Sequence, residues 1–156
     1  MKTLLALFVL AIGLHAQSLP DNLYAAGVGF QSAASPQTSG WLSYCHRTGD
    51  RIAACLATDY TGSTTSQRAE IMTHLYTTGR LHIFGKAGAG TAQGNNGGVG
   101  AAYSAGGVAL FDLKVGLHAV VSISWLKQNV SVATTGNFLQ DYASKAVFRF
   151  GFGRSW

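Results

Sequence analysis

The stretch that decides the fold is Val147-Phe148-Arg149-Phe150-Gly151-Phe152-Gly153-Arg154-Ser155-Trp156. Phe148, Phe150, Phe152 and Trp156 share one parity, and Val147, Arg149, Gly151, Gly153 and Ser155 share the other. Successive side chains on a strand point to opposite faces, so this is one strand with a bulky aromatic face and a small or charged one.

The same two-faced pattern recurs upstream. Strands are predicted at about Asn22 to Gln31, Gly40 to Arg47, Arg51 to Tyr60, Arg68 to Thr78, Leu81 to Gly90 and Tyr103 to Lys114, then from Leu117 through Trp125, with the quoted segment as the eighth. The seventh is the most regular: Leu117, Ala119, Val121, Ile123 and Trp125 oppose His118, Val120, Ser122 and Ser124. The fourth is irregular, because Met72 and Tyr76 fall in with the polar set of Glu70 and His74. The predicted lengths, about 8 to 12 residues, approach the roughly 9–11 that a tilted membrane strand needs. Connections alternate. Segments 32–39, 61–67, 88–100 and 133–144 are polar or Gly-rich and are expected as loops, whereas Thr48-Gly49-Asp50, Gly79-Arg80 and Val115-Gly116 are tight turns. Short turns on one side and longer loops on the other suit an even-stranded membrane barrel.

Composition separates a membrane barrel from a soluble one. Charged residues are 11% of the chain, against roughly 25% in soluble domains, and 20 of the 156 residues are Gly. A soluble, lipocalin-like barrel, the main alternative, is apolar inside and polar outside. Here the face opposite the bulky one carries Gly27, Gly29, Ser43, Ala53, Ala57, Ser122, Ser124, Gly151 and Gly153. Such small side chains suit a narrow eight-stranded interior and poorly suit a solvated surface. The bulky face is therefore assigned to lipid. Asp59, Glu70, Lys86, Asp112 and Arg149 then point inward, where charges must pair or stay wet, and they are expected to form a lumenal charge network. Tyr24, Tyr44 and Trp156 near one end, with Phe30, Tyr60 and Trp125 near the other, have the placement of two interfacial belts.

Residues 1–16 read as a secretory signal. Lys2 is the positive end, Leu4 to Leu14 is an apolar run too short to span a bilayer, and cleavage is expected after Ala16. Residues 17–156 form a single domain. No Cys follows the expected cut, so a lipid-anchored N-terminus is not expected. Export permits a disulfide. Cys45 and Cys55 share the inward parity and stand opposite each other across a hairpin centred on Asp50, so pairing is expected, with two free lumenal thiols as the alternative.

The net charge of +5 and the sequence pI near 9.5 are compatible with nucleic-acid binding. However, Arg47, Arg51, Arg80, Lys114 and Arg154 are scattered at turns and strand ends, as rim charges near anionic headgroups would be, and no nucleic-acid partner is expected. No metal or cofactor is expected, because the Cys spacing fits neither a CxxC pair nor a zinc site and 88–100 is no phosphate loop. His46, His74, His82 and His118 fall on different strands.

The terminal aromatic strand, the connection pattern and the leader together resemble the small eight-stranded outer-membrane barrels of the OmpA/OmpX type, over residues 22–156. The resemblance implies an all-β, eight-stranded antiparallel up-and-down transmembrane barrel in a bacterial outer membrane, with short periplasmic turns and longer extracellular loops. It also implies that Phe148, Phe150, Phe152 and Trp156 form the end read by the barrel-assembly machinery. The implied partners are outer-membrane lipid and lipopolysaccharide, and the implied state is a monomer. Some outer-membrane barrels are lipid-modifying enzymes that carry a His and a Ser two residues apart. Here His118 has Val120 at that offset and Ser122 beyond it, so no enzyme and no catalytic residue are expected. The expected function is a structural or surface-exposed barrel whose lumen is plugged by side chains. Eight strands are too few for a wide pore.

Overall fold

The computed structural model describes residues 20–32, 37–62, 64–95, 97–134 and 137–156; the leader and the expected cleavage site lie outside them. Eight strands follow in chain order: β1 (Asn22–Ser32), β2 (Gln37–Arg47), β3 (Ile52–Thr61), β4 (Thr64–Thr78), β5 (Leu81–Gly94), β6 (Val99–Lys114), β7 (Leu117–Thr134) and β8 (Asn137–Ser155). Each pairs antiparallel with its neighbours, and β8 returns to β1 to close a barrel. The closing register runs from Leu23 opposite Ser155 to Ser32 opposite Ala146. Closure pairs the strand edges that an open sheet would expose, a requirement for any sheet that meets lipid.

The strands and the three tight turns fall where the alternation predicts them. Gly79 and Gly116 take positive φ (55° and 70°), the conformation a two-residue hairpin turn requires and a side chain disfavours. The polar stretches differ from expectation. Segments 61–67, 88–100 and 133–144, predicted as loops, are mostly strand. Thr64 and Thr65 pair with Gly94 and Gln93, Gly90 pairs with Ala102, and Thr134 pairs with Asn137. Among the described residues of these segments, those outside strands are 62, 95, 97 and 98. Polarity ended the apolar face in these segments, but it did not end the hydrogen-bonded ladder. The longer loops expected at that end are thus paired hairpins with short tips, and β7 and β8 reach 18 and 19 residues.

Two register shifts interrupt the ladder, one between His74 and Tyr76 in β4 and one between Asp112 and Lys114 in β6. The first explains the irregular fourth strand. The extra residue, Leu75, resets the parity, so Leu75 and Tyr76 both face outward, whereas Met72, before the shift, keeps the inward parity of Glu70 as an apolar lumen residue.

The faces are as assigned. Tyr24, Val28, Phe30, Leu56, Ile71, Val121, Ile123, Trp125, Phe148, Phe150, Phe152 and Trp156 are exposed on the outside, Phe152 by 66%. The lumen is bulkier than the small-residue reading expects. Leu23, Trp41, Met72, Phe84, Leu110 and Val120 form an apolar layer inside it with Ala25, Ala53, Cys45 and Cys55. Glycine on the inner face makes room for them: a Cβ at Gly151 would lie 2.8 Å from the Trp41 ring. The Trp41 indole N–H donates to the Val28 carbonyl at 3.2 Å, so this buried ring keeps its polar group paired.

Candidate functional site

Along β4, the inward positions read Ser66, Arg68, Glu70, Met72, His74 towards the mouth that carries the tight turns. Those of β5 read Lys86, Phe84, His82, and those of β7 read Ser124, Ser122, Val120, His118. The period of two thus builds three layers across the strands: a charged layer at mid-height, an apolar layer, and a layer of imidazole and hydroxyl groups at the turn-side mouth.

In the charged layer, Arg149 Nε donates to Asp59 Oδ1 at 2.7 Å, and Arg68 Nη2 donates to Asp59 Oδ2. Arg68 Nε reaches Glu70 Oε1 at 3.0 Å, and Lys86 Nζ reaches Glu70 Oε2 at 3.1 Å. Ser104 Oγ donates to Glu70 Oε1 at 2.7 Å, and Ser66 and Ser124 accept from Arg68 and Arg149. Each carboxylate oxygen is used, and three cations face two carboxylates. The Arg68 side chain is fully buried, and those of Asp59, Glu70 and Arg149 nearly so. Buried charge on this scale is tolerated because both carboxylates are fully paired, although Arg149 Nη2 is buried without a hydrogen-bond partner. The space beside the layer is about 30 Å³, bordered by Asp59, Arg68, Glu70, Lys86, Arg149 and the apolar layer, room for about two waters.

Four of the five charges expected in the network, Asp59, Glu70, Lys86 and Arg149, are brought together. Asp112 is not among them. Arg68 joins two of the ion pairs, yet the sequence reading leaves it out. Its signal was present, since it has the parity of Glu70 two residues on. Treating 61–67 as loop made it the first residue of the fourth strand, and it is not singled out there.

Asp112 belongs to the mouth. It stands directly opposite His118, and the register shift that follows it lies at that rim. Its Oδ1 lies 2.7 Å from His118 Nδ1 and its Oδ2 lies 3.0 Å from His82 Nε2. His118 Nε2 lies 2.8 Å from Ser155 Oγ. On the other side, His82 Nδ1 lies 3.0 Å from Thr77 Oγ1, which lies 2.7 Å from His74 Nε2. The result is a continuous chain, His74–Thr77–His82–Asp112–His118–Ser155, across β4 to β8. The three histidines that the sequence places on separate strands are therefore joined by barrel closure, through long-range pairing that no local pattern displays. An open cavity of about 410 Å³ borders Asp112 and His118, with Arg80, Lys114, Val115 and Gly116 around it. Among the described residues, no group of three or more His, Cys, Asp or Glu side chains is arranged to hold a metal ion.

Cys45 and Cys55 face each other across β2 and β3 and are joined as a disulfide, with Cα atoms 4.0 Å apart, inside the apolar layer. Tyr24 stacks on Trp156 at 5.0 Å and meets Tyr44 at 4.6 Å on the outer surface near the turn-side mouth. Phe30, Tyr60 and Trp125 are exposed towards the other end.

No protein-family model and no curated protein matches the chain. Solved structures do. The outer membrane protein OprG from Pseudomonas aeruginosa superposes with a TM-score of 0.64 at 9% identity, covering 89% of this chain and 97% of its own. The outer membrane protein AlkL, determined in lipid bilayers, gives 0.51 at 9% identity, covering 92% and 94%. A de novo designed transmembrane β-barrel gives 0.58 at 12% identity, covering 88% and 98%. This chain has the fold of these membrane barrels.

Proposed function

We propose that this protein is a monomeric, surface-exposed barrel of a bacterial outer membrane, closed to solutes by its own side chains. The observation that supports this reading is the pairing of an apolar exterior with an interior occupied by paired charges and apolar side chains. The outer face offers lipid a belt of Val, Leu, Ile, Phe, Tyr and Trp. The inner face spends its charges on one another and leaves a space of about 30 Å³ beside them. A porin has the reverse economy, with unpaired charge around open water. The likeness to OprG and AlkL supports an outer-membrane address, and residues 1–16 supply a leader for export. In this reading the barrel-assembly machinery engages Phe148, Phe150, Phe152 and Trp156 of β8. The aromatic groups at the two ends sit at the two lipid–water boundaries, where amphipathic rings are favoured, and the rim cations at the turn-side end meet anionic lipid headgroups.

Reconstitution tests this. Vesicles carrying the refolded chain should retain a trapped monosaccharide as well as protein-free vesicles do. Rapid loss of the sugar from vesicles holding correctly folded barrel would rule out the sealed lumen.

A further inference from the structure

The mouth layer holds a constellation that the sealed-barrel reading does not use. Asp112 accepts hydrogen bonds on both carboxylate oxygens. The bond on Oδ1 fixes the proton of His118 on Nδ1, which leaves Nε2 as the acceptor for the Ser155 hydroxyl at 2.8 Å. His82 is fixed in the same way. Its Nε2–H points at Asp112, and its Nδ1 accepts from Thr77, whose oxygen accepts from His74. Asp112 is thereby held from two sides, and His118 has one tautomer and one orientation. A hydroxyl on Nε2 of a histidine whose Nδ1–H is held by a carboxylate is the arrangement that activates serine as a nucleophile, on whatever fold it occurs.

We infer that Ser155, His118 and Asp112 form a nucleophile–base–carboxylate triad that hydrolyses carboxylic esters at the turn-side mouth of the barrel, with acyl esters of anionic amphiphiles as the substrate class.

The step balances with water as the only co-reactant. Ser155 Oγ attacks the ester carbonyl carbon while its proton passes to His118 Nε2. The tetrahedral adduct collapses, the carbonyl–alkoxy bond breaks, and the leaving alcohol takes that proton. Water then attacks the acyl-serine, gives a proton to Nε2, and releases the carboxylic acid as Ser155 recovers its own.

Three further features favour a site over a structural hydrogen-bond chain. The triad is not sealed off: Ser155 is half-buried, and His118 and Asp112 border the open cavity of about 410 Å³. That cavity also carries Arg80 and Lys114, whose charges suit an anionic headgroup. Gly116, whose carbonyl takes the Ser155 N–H at 2.8 Å, ties the turn beside the cavity to the nucleophile. Finally, Tyr24, Tyr44 and Trp156 cluster on the outer surface at this same end, where amphiphiles would be met.

The test treats the full chain, refolded in detergent and showing a heat-dependent gel shift, with a fluorophosphonate, and maps the adduct by peptide mass spectrometry. The expected result is one adduct, on Ser155 Oγ, absent from His118→Ala. Fatty-acid release from phosphatidylglycerol vesicles should accompany it and fall at least about 100-fold in Ser155→Ala and Asp112→Asn. No adduct on Ser155 in folded wild-type protein would overturn the triad, and this reading needs no variant to fold. Cleavage of a soluble p-nitrophenyl ester with no fatty-acid release would overturn the amphiphile assignment. A leaking but Ser155-labelled barrel would sink the sealed lumen and leave the triad standing.

Discussion

Arg149 holds Asp59 with Nε and Ser124 with Nη1, and Arg68 holds the other oxygen of Asp59 and one of Glu70. Removing either arginine leaves a carboxylate buried among apolar walls with half its partners. Such uncompensated charge typically costs about 3–5 kcal/mol, more than the intact pair contributes. Arg149→Ala should therefore lower refolding stability in detergent by about that amount, read from urea midpoints, and Arg68→Ala by a similar amount. An unchanged midpoint for Arg149→Ala would mean that the residue faces water. The inward direction of Asp59, Glu70, Lys86 and Arg149 was legible from parity alone. Their partners were not, because which strands stand beside which at a given height depends on register. Arg68 escaped through a misplaced strand start, and the histidines through barrel closure. Ser155 had the right parity but only a small polar side chain to mark it.

At the scale of the strand, apolar alternation gave the membrane-facing part of each element well and its ends poorly. β7 and β8 are longer than the roughly 9–11 residues needed to cross a bilayer, and their surplus mixes polar with apolar residues. A β-ladder satisfies its backbone through its neighbour whether lipid or water lies outside, so loss of hydrophobicity marks the edge of the apolar face and not the end of pairing. Thr in 64–65 and 77–78 fits a pleated surface because it is β-branched. The two register shifts were visible only as a parity anomaly in β4 and not at all in β6. Both lie in the strand segments that lead to the His–Asp mouth, and re-aiming of side chains near a site is a common use of bulges. The central stretch of β8 gives the clearest test of the faces. Phe150 stands between Val28 and Val121, all three exposed and apolar. Phe150→Arg should destabilise the barrel in lipid by about 2–4 kcal/mol. In a water-solvated barrel the same change would be nearly neutral or would improve solubility.

For the molecule as a whole, eight antiparallel strands closed by β1 and β8 follow from a single rule applied eight times, with bulky residues on one parity and small or charged residues on the other. The rule also settles which way the barrel is dressed. With the apolar layer around Phe84 and Trp41 inside as well as the aromatic belt outside, little polar surface is left for water except at the mouths. The disulfide between Cys45 and Cys55 pins β2 to β3 within that layer. The shared fold with OprG, AlkL and a designed transmembrane barrel at 9–12% identity shows how little of the sequence beyond this pattern the architecture needs. The central claim is that the bulky face meets lipid. Its most direct measurement is the mobility of the refolded chain on a detergent gel, unboiled against boiled. The expected result is a folded band that shifts on boiling, seen only when the chain is refolded in detergent or lipid, and lost when residues 147–156 are deleted. A chain that folds monodisperse in plain buffer and shows no shift would contradict it.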